Sequence, residues 1–303
     1  MEEQLLPLAD LKPAYERGVW LYVYRDFSGS DDDRAAERVC LRLGMTSYPQ
    51  HFLVDPETLA TLADTGRQVG SFLAAFERAR IPGGRTVATA ESLRAADDRA
   101  AALEKSRSVA EARRALDDPD VLVRFRALEI LAEREPARLV PRAEELLAVP
   151  NDPFRFLVCS ALGRAARPEA AGALESTVRE PKDSRNPNVL RIRAVEALAT
   201  SGRAASVECI APHASSGDFR NGLTRTAVEA LAAIAGRDRA ARGPAREALV
   251  ASYPAPPADE ASERPCLALA KSVHAALEEI TGRKVPFPSN YDGKAVERLR
   301  KAW

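Results

Sequence analysis

Cysteine, histidine and arginine are the residues whose types and spacing bear most directly on chemistry in this 303-residue chain. The four cysteines are Cys40, Cys159, Cys209 and Cys266. No two of them have the two-residue spacing that favours metal binding or thiol exchange. Cys159 and Cys209 lie in apolar helical stretches, which predicts small buried side chains, while disulfides between distant positions stay open. The role of Cys40, among apolar neighbours, is also open.

The three histidines, His51, His213 and His274, are too scattered to indicate a metal site or a catalytic triad, so structural roles are expected for them. The chain also lacks a glycine-rich phosphate loop and a nucleophile elbow. We therefore predict no catalytic residue, no metal and no cofactor, and the sequence favours a protein that is not an enzyme.

A sequence pattern that ends in leucine recurs through the last two-thirds of the chain. Its five copies end at Leu131, Leu162, Leu198, Leu231 and Leu277. Steps of 31 to 46 residues indicate paired-helix units that bury their apolar faces by stacking on one another. Such arrays usually bind other molecules rather than catalyse.

Arginine occupies one aligned position of this pattern in three copies, as Arg124, Arg155 and Arg191, and is replaced by Thr224 and Ala270 in the other two. The arginines could form a ladder on the concave face that binds an acidic peptide or phosphate. Alternatively, they form inter-repeat ion pairs with the acids that cap these helices, and this second interpretation is favoured. Reversing all three charges separates the two, because loss of folding supports ion pairing and loss of ligand alone supports the ladder.

A turn containing Asp, followed by apolar-Arg-x-x-Ala-x-x-Ala-Leu, resembles HEAT-like repeats of the bilin-lyase type over residues 108–285. The resemblance implies an α-solenoid across residues 108–303, preceded by a linker and leading helix at 81–107 with a break near Ser106 to Ser108. A last helix from Asp292 to Ala302, with Trp303, is expected to cover the final repeat. A lyase-like modifier of bilin chromophores is a third functional class that the resemblance leaves open.

The first eighty residues have a different pattern. Residues 19–24 predict a buried strand, and Asp31 to Asp33 precede a predicted helix from Ala35 to Leu43, where acids suit the helix dipole. Residues 51–54 and 59–63 predict a hairpin, and 69–79 predict an amphipathic helix. Ile81-Pro82-Gly83-Gly84 then predicts a domain boundary.

This segment resembles the thioredoxin superfamily, as carried by Leu43 to Pro49, Phe52 to Pro56, and Gly66. The resemblance implies an incomplete thioredoxin-like domain at residues 1–80, and thus an α/β plus all-α chain. It also implies a cis peptide bond before Pro49 and a peptide-docking edge formed by Tyr48 and Pro49.

The Cys-x-x-Cys motif of that superfamily is absent, because the chain begins where the motif would have just ended. Either the motif was lost and the fold kept for binding, or the true start lies upstream, an interpretation that is slightly favoured. We expect the isolated fragment 1–80 to be poorly stable. As written, the chain predicts a cytoplasmic protein, whereas an upstream start would predict export or a periplasmic location.

Charge is balanced, with 44 basic and 44 acidic residues, so no global field directs the chain towards nucleic acid or a membrane. A protein or peptide partner is expected. The extended loop from Tyr253 to Glu260 predicts a protruding segment, which could be a partner-binding arm or, as favoured, a passive insertion. The sequence thus indicates a non-catalytic protein-binding scaffold, with a thiol-disulfide oxidoreductase encoded partly upstream as the alternative.

Overall fold

The computed structural model describes residues 29–46, 52–55, 61–64, 74–75, 90–215, 222–256 and 260–303. The chain divides into two compact units, residues 1–127 and 128–303. The described residues form 13 α-helices and one two-stranded sheet, so the protein is mostly helical. The predicted boundary at Ile81 to Gly84 lies outside the described residues.

Helix α1, Asp31–Leu43, opens the described part of the first unit. The Ser30 side chain accepts a hydrogen bond from the Asp33 amide, and Gly44 ends the helix in the left-handed conformation with φ of 67°. The predicted start at Ala35 was wrong, because Asp31 to Asp33 form the first helical turn instead of preceding it. Their charges nevertheless lie at the helix end that favours anions.

Strands β1, Phe52–Val54, and β2, Thr61–Asp64, pair antiparallel, which confirms the predicted hairpin. The register places Leu53 opposite Ala63. The predicted strand at 19–24 lies outside the described residues, and so does all but a two-residue piece of the predicted helix at 69–79.

Helices α2, Ala90–Ser106, and α3, Val109–Ala115, confirm the predicted break between them. Arg107 has a positive φ of 46°, and the Ser108 hydroxyl then accepts a hydrogen bond from the Glu111 amide. Helix α4, Val121–Arg134, follows, and the division between the two units falls within it.

The second unit continues with helices that form successive pairs. In chain order they are α5 Ala143–Leu147, α6 Asp152–Ala165, α7 Ala171–Arg179, α8 Pro187–Ser201, α9 Ala204–Ala214, α10 Gly222–Arg237, α11 Arg242–Ala251, α12 Glu260–Thr281 and α13 Gly293–Ala302. Short 3₁₀ turns precede α5, α7 and α11.

Two layers result, because each helix packs on the helix two places along the chain. Helices α6, α8, α10 and α12 form the first layer in that order, and α5, α7, α9 and α11 form the second. Leucine and alanine fill the space between the layers, as at Leu162, Leu198 and Leu231, all fully buried. This stacking of helices in two layers is consistent with the α-solenoid that the repeat spacing predicted.

Close helix contact in the first layer depends on small residues. A Cβ on Gly163 of α6 would lie 3.1 Å from the Cα of Ala197 on α8. At the same place, the Thr200 hydroxyl donates a hydrogen bond of 2.6 Å to the Gly163 carbonyl. At the next junction, the guanidinium of Arg237 on α10 donates to the Ala199 carbonyl. The ends of α6 and α8 are therefore each capped by a residue of the following repeat.

Helix α13 ends the chain, and the Asp292 side chain accepts a hydrogen bond of 2.7 Å from the Ala295 amide at its start. This confirms the predicted last helix. The expected protrusion of the segment that begins at Tyr253 was wrong at its first residues, since Tyr253 is only 1% exposed and Pro254 is also buried.

Candidate functional site

Tyr48 and Pro49, the predicted peptide-docking edge, lie outside the described residues. The three repeat arginines are all described, and their surroundings differ.

Arg155 is buried near the start of α6, with 2% of its surface exposed. Its Nε donates to the Val149 carbonyl, and its terminal nitrogen donates to the Lys182 carbonyl at 2.6 Å. Asp152, one turn earlier, is 4% exposed and lies 3.8 Å from the guanidinium. Both side chains thus have structural partners inside the array.

The other oxygen of Asp152 binds the loop that connects α7 to α8. It accepts hydrogen bonds from the Ser184 hydroxyl at 3.1 Å, the Arg185 amide at 2.9 Å and the Asn186 amide at 3.0 Å. A carboxylate that binds three donors in this way holds a loop in one conformation.

Arg191 is half-buried on α8, where its Nε donates to the Val178 carbonyl at 3.1 Å, near the end of α7. Arg124, in the first unit, is also half-buried. Burial raises the pKa of Asp118, but hydrogen bonds from Arg99 and the Asp120 amide, with the charges of Arg99 and Arg124, bring it below its usual value. Arg124 is therefore electrostatically linked to an acid that precedes its own helix.

The aligned position turns inward in the later repeats as well, because Thr224 and Ala270 are fully buried. Together with Arg155, they place this position in the interior of the array. Arg155 and Arg191 both donate to backbone carbonyls, and the ion pair of Arg155 with Asp152 lies within one helix rather than between repeats as expected.

All four cysteines are free thiols and buried, so the distant disulfides left open by the sequence are not formed. Burial raises the pKa of the Cys159 thiol to about 12 and that of Cys209 to about 11. It also raises the pKa of Cys266. Thiols of such high pKa carry almost no thiolate at neutral pH and are poor nucleophiles.

His274 on α12 is the centre of a buried polar cluster. Its Nε2 lies 2.6 Å from the Val285 carbonyl oxygen. Because a carbonyl only accepts, Nε2 carries the proton and Nδ1 accepts from the Tyr253 hydroxyl at 2.8 Å. The indole N–H of Trp303 donates to the same hydroxyl oxygen at 3.0 Å. The polar atoms of all three side chains are satisfied by one another and by the backbone.

Aromatic contacts complete this cluster. The rings of Phe287 and Trp303 pack against the His274 ring in T-shaped arrangements, at centroid distances of 5.2 and 5.3 Å. The Tyr291 hydroxyl donates to the Pro254 carbonyl at 2.8 Å, and Arg300 donates to the Tyr253 carbonyl at 2.9 Å. The cluster therefore ties the end of the chain to the last repeat. Sequence reasoning missed the role of Tyr253, although a large aromatic residue beside prolines was a usable signal.

A surface depression of about 420 Å³ opens beside this cluster, between α11 and α13. Its lining is Arg246, Glu247, Val250, Ala251, Arg300 and Trp303. It combines two guanidinium groups, one carboxylate and an apolar wall. The depression is open to solvent.

The first unit has a charged cluster of its own. Arg42 of α1 contacts Asp97 at 2.7 Å and Asp120 at 3.1 Å, and Arg126 contacts Glu37 at 3.1 Å. These ion pairs join α1 to α2, to α4 and to the turn before α4. They are partly buried, so they hold the unit together more strongly than fully exposed pairs would.

No group of three or more potential metal ligands is gathered anywhere in the described ranges. In the same part of the chain, no helix is both long enough and apolar enough to span a bilayer.

Comparison of the chain with protein-family models, with curated proteins and with solved structures gave no match.

Proposed function

We propose that this chain is a non-catalytic protein-binding scaffold, built on a HEAT-like solenoid that follows a redox-silent thioredoxin-like domain. The observation that carries the proposal is the two-layered stack of helix pairs in residues 128–303. Stacked repeats offer a long continuous surface, and in general such surfaces bind other proteins.

The interior chemistry supports binding over catalysis. The side chains that could serve as catalytic groups are buried, and each makes hydrogen bonds to other residues of the helical array. They are Arg155, Asp152 and His274. A catalytic acid or base has to reach a substrate within hydrogen-bond distance. The side chains best suited to that task are engaged in holding the repeats together.

The described thiols also argue against thiol-disulfide exchange by this chain's own cysteines. Burial raises the pKa of Cys159 and Cys209 well above neutrality, and Cys40 is buried on α1. We expect no insulin reduction by the purified chain. Catalysed reduction by it would contradict the redox-silent part of the proposal.

In the N-terminal part, the proposal assigns Tyr48 and Pro49 to a second docking edge. Helix α1 followed by the β1–β2 hairpin is the order that the thioredoxin-like pattern predicts, and this order supports the assignment. The partner in both cases is a protein or peptide rather than nucleic acid or a membrane, in keeping with a net charge of zero.

Site-specific photocrosslinking of the full chain in cells tests the scaffold. A photoreactive amino acid is placed at Arg193 of α8, and in a second variant at Glu208 of α9, both exposed. We expect at least one layer to give a discrete protein adduct that excess unlabelled chain competes away. Adducts that are diffuse and insensitive to competitor at both positions would contradict the scaffold.

A further inference from the structure

Residues 283–303, which we name the C-terminal segment, are attached to the last repeat around one buried histidine. His274 of α12 donates to the Val285 carbonyl near the start of the segment, and its ring packs against that of Trp303 at the end. Tyr253 completes the attachment, because its hydroxyl donates to His274 Nδ1 and accepts from the Trp303 indole N–H. One buried polar cluster therefore fastens both ends of the segment.

Each ring nitrogen of His274 makes one hydrogen bond in this cluster. Nε2 carries a proton and donates to the Val285 carbonyl, so only Nδ1 can take a second proton. Nδ1 accepts from the Tyr253 hydroxyl, and the oxygen of that hydroxyl already accepts from Trp303. The set of hydrogen bonds is thus complete only while the imidazole is neutral.

A second proton on His274 would reverse one of these bonds. Nδ1 would become a donor, so the Tyr253 hydroxyl would have to accept from it and turn its own hydrogen elsewhere. Within the described residues, that hydrogen has no other acceptor. Tyr253 and His274 are both buried, so water does not readily replace the missing partner. A buried donor without an acceptor destabilises the closed arrangement.

Glu278, one turn later on α12, is an acid that faces His274. Its carboxylate lies 3.9 Å from Nε2 and would attract an imidazolium. The same carboxylate accepts a hydrogen bond of 3.0 Å from Lys284, which lowers the pKa of Glu278. The charge of Lys284 therefore offsets much of the attraction that Glu278 would exert on the ring.

Other charged groups at the cluster are cations of the C-terminal segment. The guanidinium of Arg283 lies 5.9 Å from the centre of the indole ring, and Arg300 donates to the Tyr253 carbonyl at 2.9 Å. Burial raises the pKa of the Tyr291 hydroxyl and of the Cys266 thiol, so both stay neutral. An imidazolium would therefore meet several cations, and these cations belong to the segment that the cluster fastens.

We propose that His274 is a proton-operated latch, so that protonation of its Nδ1 releases residues 283–303 from the last repeat. At this ring the closed form accommodates one proton fewer than the open form, and opening therefore increases as pH falls. An imidazole in water has a pKa of about 6.5, which places the change between about pH 7.5 and about pH 5.5. The latch does not depend on the proposed scaffold function.

Release would change the surface at the end of the array. Val296 and Leu299 of α13 are buried in the closed form and would become accessible. The depression between α11 and α13 would lose Arg300 and Trp303 from its lining. The latch therefore controls whether the last repeat is covered.

Hydrogen exchange of the full chain, followed by mass spectrometry, tests the latch directly. Protection factors are measured at about pH 7.5 and about pH 5.5 and corrected for the intrinsic pH dependence of amide exchange. We expect protection of α13 amides to fall by at least about threefold and by up to about tenfold, the limit for one proton on an ordinary imidazole. A smaller change would overturn the proposal. An equal loss of protection in α6 would also overturn it, because that result indicates global unfolding.

Replacing the histidine should remove this response. His274→Gln keeps a donor and an acceptor in the side chain but cannot take the second proton, so we expect equal α13 protection at the two pH values. The matched control is His213→Gln, which removes a half-buried histidine on α9 and should keep the wild-type response of α13. An undiminished response in His274→Gln, or its loss in His213→Gln, would overturn the proposal.

Tyr253→Phe provides a second variant in case His274→Gln does not close at either pH. Without the hydroxyl, protonation of His274 no longer leaves a buried donor without an acceptor. We therefore expect α13 of this variant to be less protected at about pH 7.5 and to respond less to acid than the wild type. A full wild-type response in Tyr253→Phe would show that the hydroxyl does not oppose protonation, which would overturn the mechanism of the latch.

Discussion

Asp152 and Arg155 lie one turn apart on α6 and bind different parts of the same loop. Arg155 donates to the Lys182 carbonyl, while one oxygen of Asp152 accepts from Ser184, Arg185 and Asn186. Asp152 thus accepts hydrogen bonds from the loop, whereas Arg155 donates one to a carbonyl of the loop. The buried, oppositely charged side chains of Asp152 and Arg155 therefore hold the loop between α7 and α8 in place.

Removing the base of this pair should be costly. Arg155→Ala leaves Asp152 as an unpaired buried charge and the Lys182 carbonyl without its donor, so we expect unfolding free energy to fall by about 3–5 kcal/mol. Arg191→Ala, at a half-buried position, should cost only about 1 kcal/mol. Urea denaturation measures both. Equal small losses would mean that the buried pair has little effect on the array.

Two glycines give opposite predictions. Gly163→Ala adds a Cβ that would lie 3.1 Å from the Ala197 Cα, so α6 and α8 must separate and stability should fall despite better helix propensity. Gly172→Ala, whose Cβ would meet nothing within 4 Å, should gain up to about 1 kcal/mol. Thermal melts of the two variants compare them, and stabilisation by Gly163→Ala would contradict the close helix contact.

The Tyr253 hydroxyl joins two buried groups. Tyr253→Phe leaves His274 Nδ1 without a donor and the Trp303 indole N–H without an acceptor, and we expect a loss of about 1–3 kcal/mol. Because Trp303 would loosen, its fluorescence should also shift to longer wavelength. In the double variant with His274→Leu, the second substitution should cost less than it does alone. Strict additivity would show that Tyr253 and His274 do not interact.

His213 provides a pH dependence with a definite sign. Burial and then the charge of Arg191 lower its pKa in the folded chain. Below the ordinary value of 6.5 the unfolded chain therefore binds more protons, and stability falls as pH drops from there through the folded pKa.

Replacing this histidine removes the effect. His213→Gln should lose less unfolding free energy than the wild type between about pH 7.5 and about pH 5.5. Denaturation of both proteins at the two pH values measures the difference, and His274 is common to both. Parallel losses in the two proteins would exclude His213 as the source.

Repeat spacing predicted the helical array well, because small and large apolar residues at fixed offsets can be buried only when neighbouring helices stack. The break at Arg107 and the final helix capped by Asp292 were also predicted, since each depends on local residues that favour one backbone conformation. Such features are encoded within a few positions of one another.

The role of Tyr253 could not be found in the same way. Its partners His274 and Trp303 are 21 and 50 residues away, and only the packed array brings them together. For Arg155, the sequence predicted a nearby acid at the start of the helix. It did not predict that Arg155 and this acid would bind the distant loop between α7 and α8. Polar contacts between repeats leave no periodic signal, so the sequence predicts the layers better than their junctions.

The junctions also limit how the array could change in length. Thr200 caps α6, whereas Arg237 caps α8, and Ser206 of α9 donates to Glu175 of α7. The contact between one repeat and the next therefore depends on a different hydrogen bond at each position. Deletion or duplication of one helix pair would bring together helix surfaces that do not match. The number of repeats is therefore difficult to change without further substitutions at the contacts between repeats.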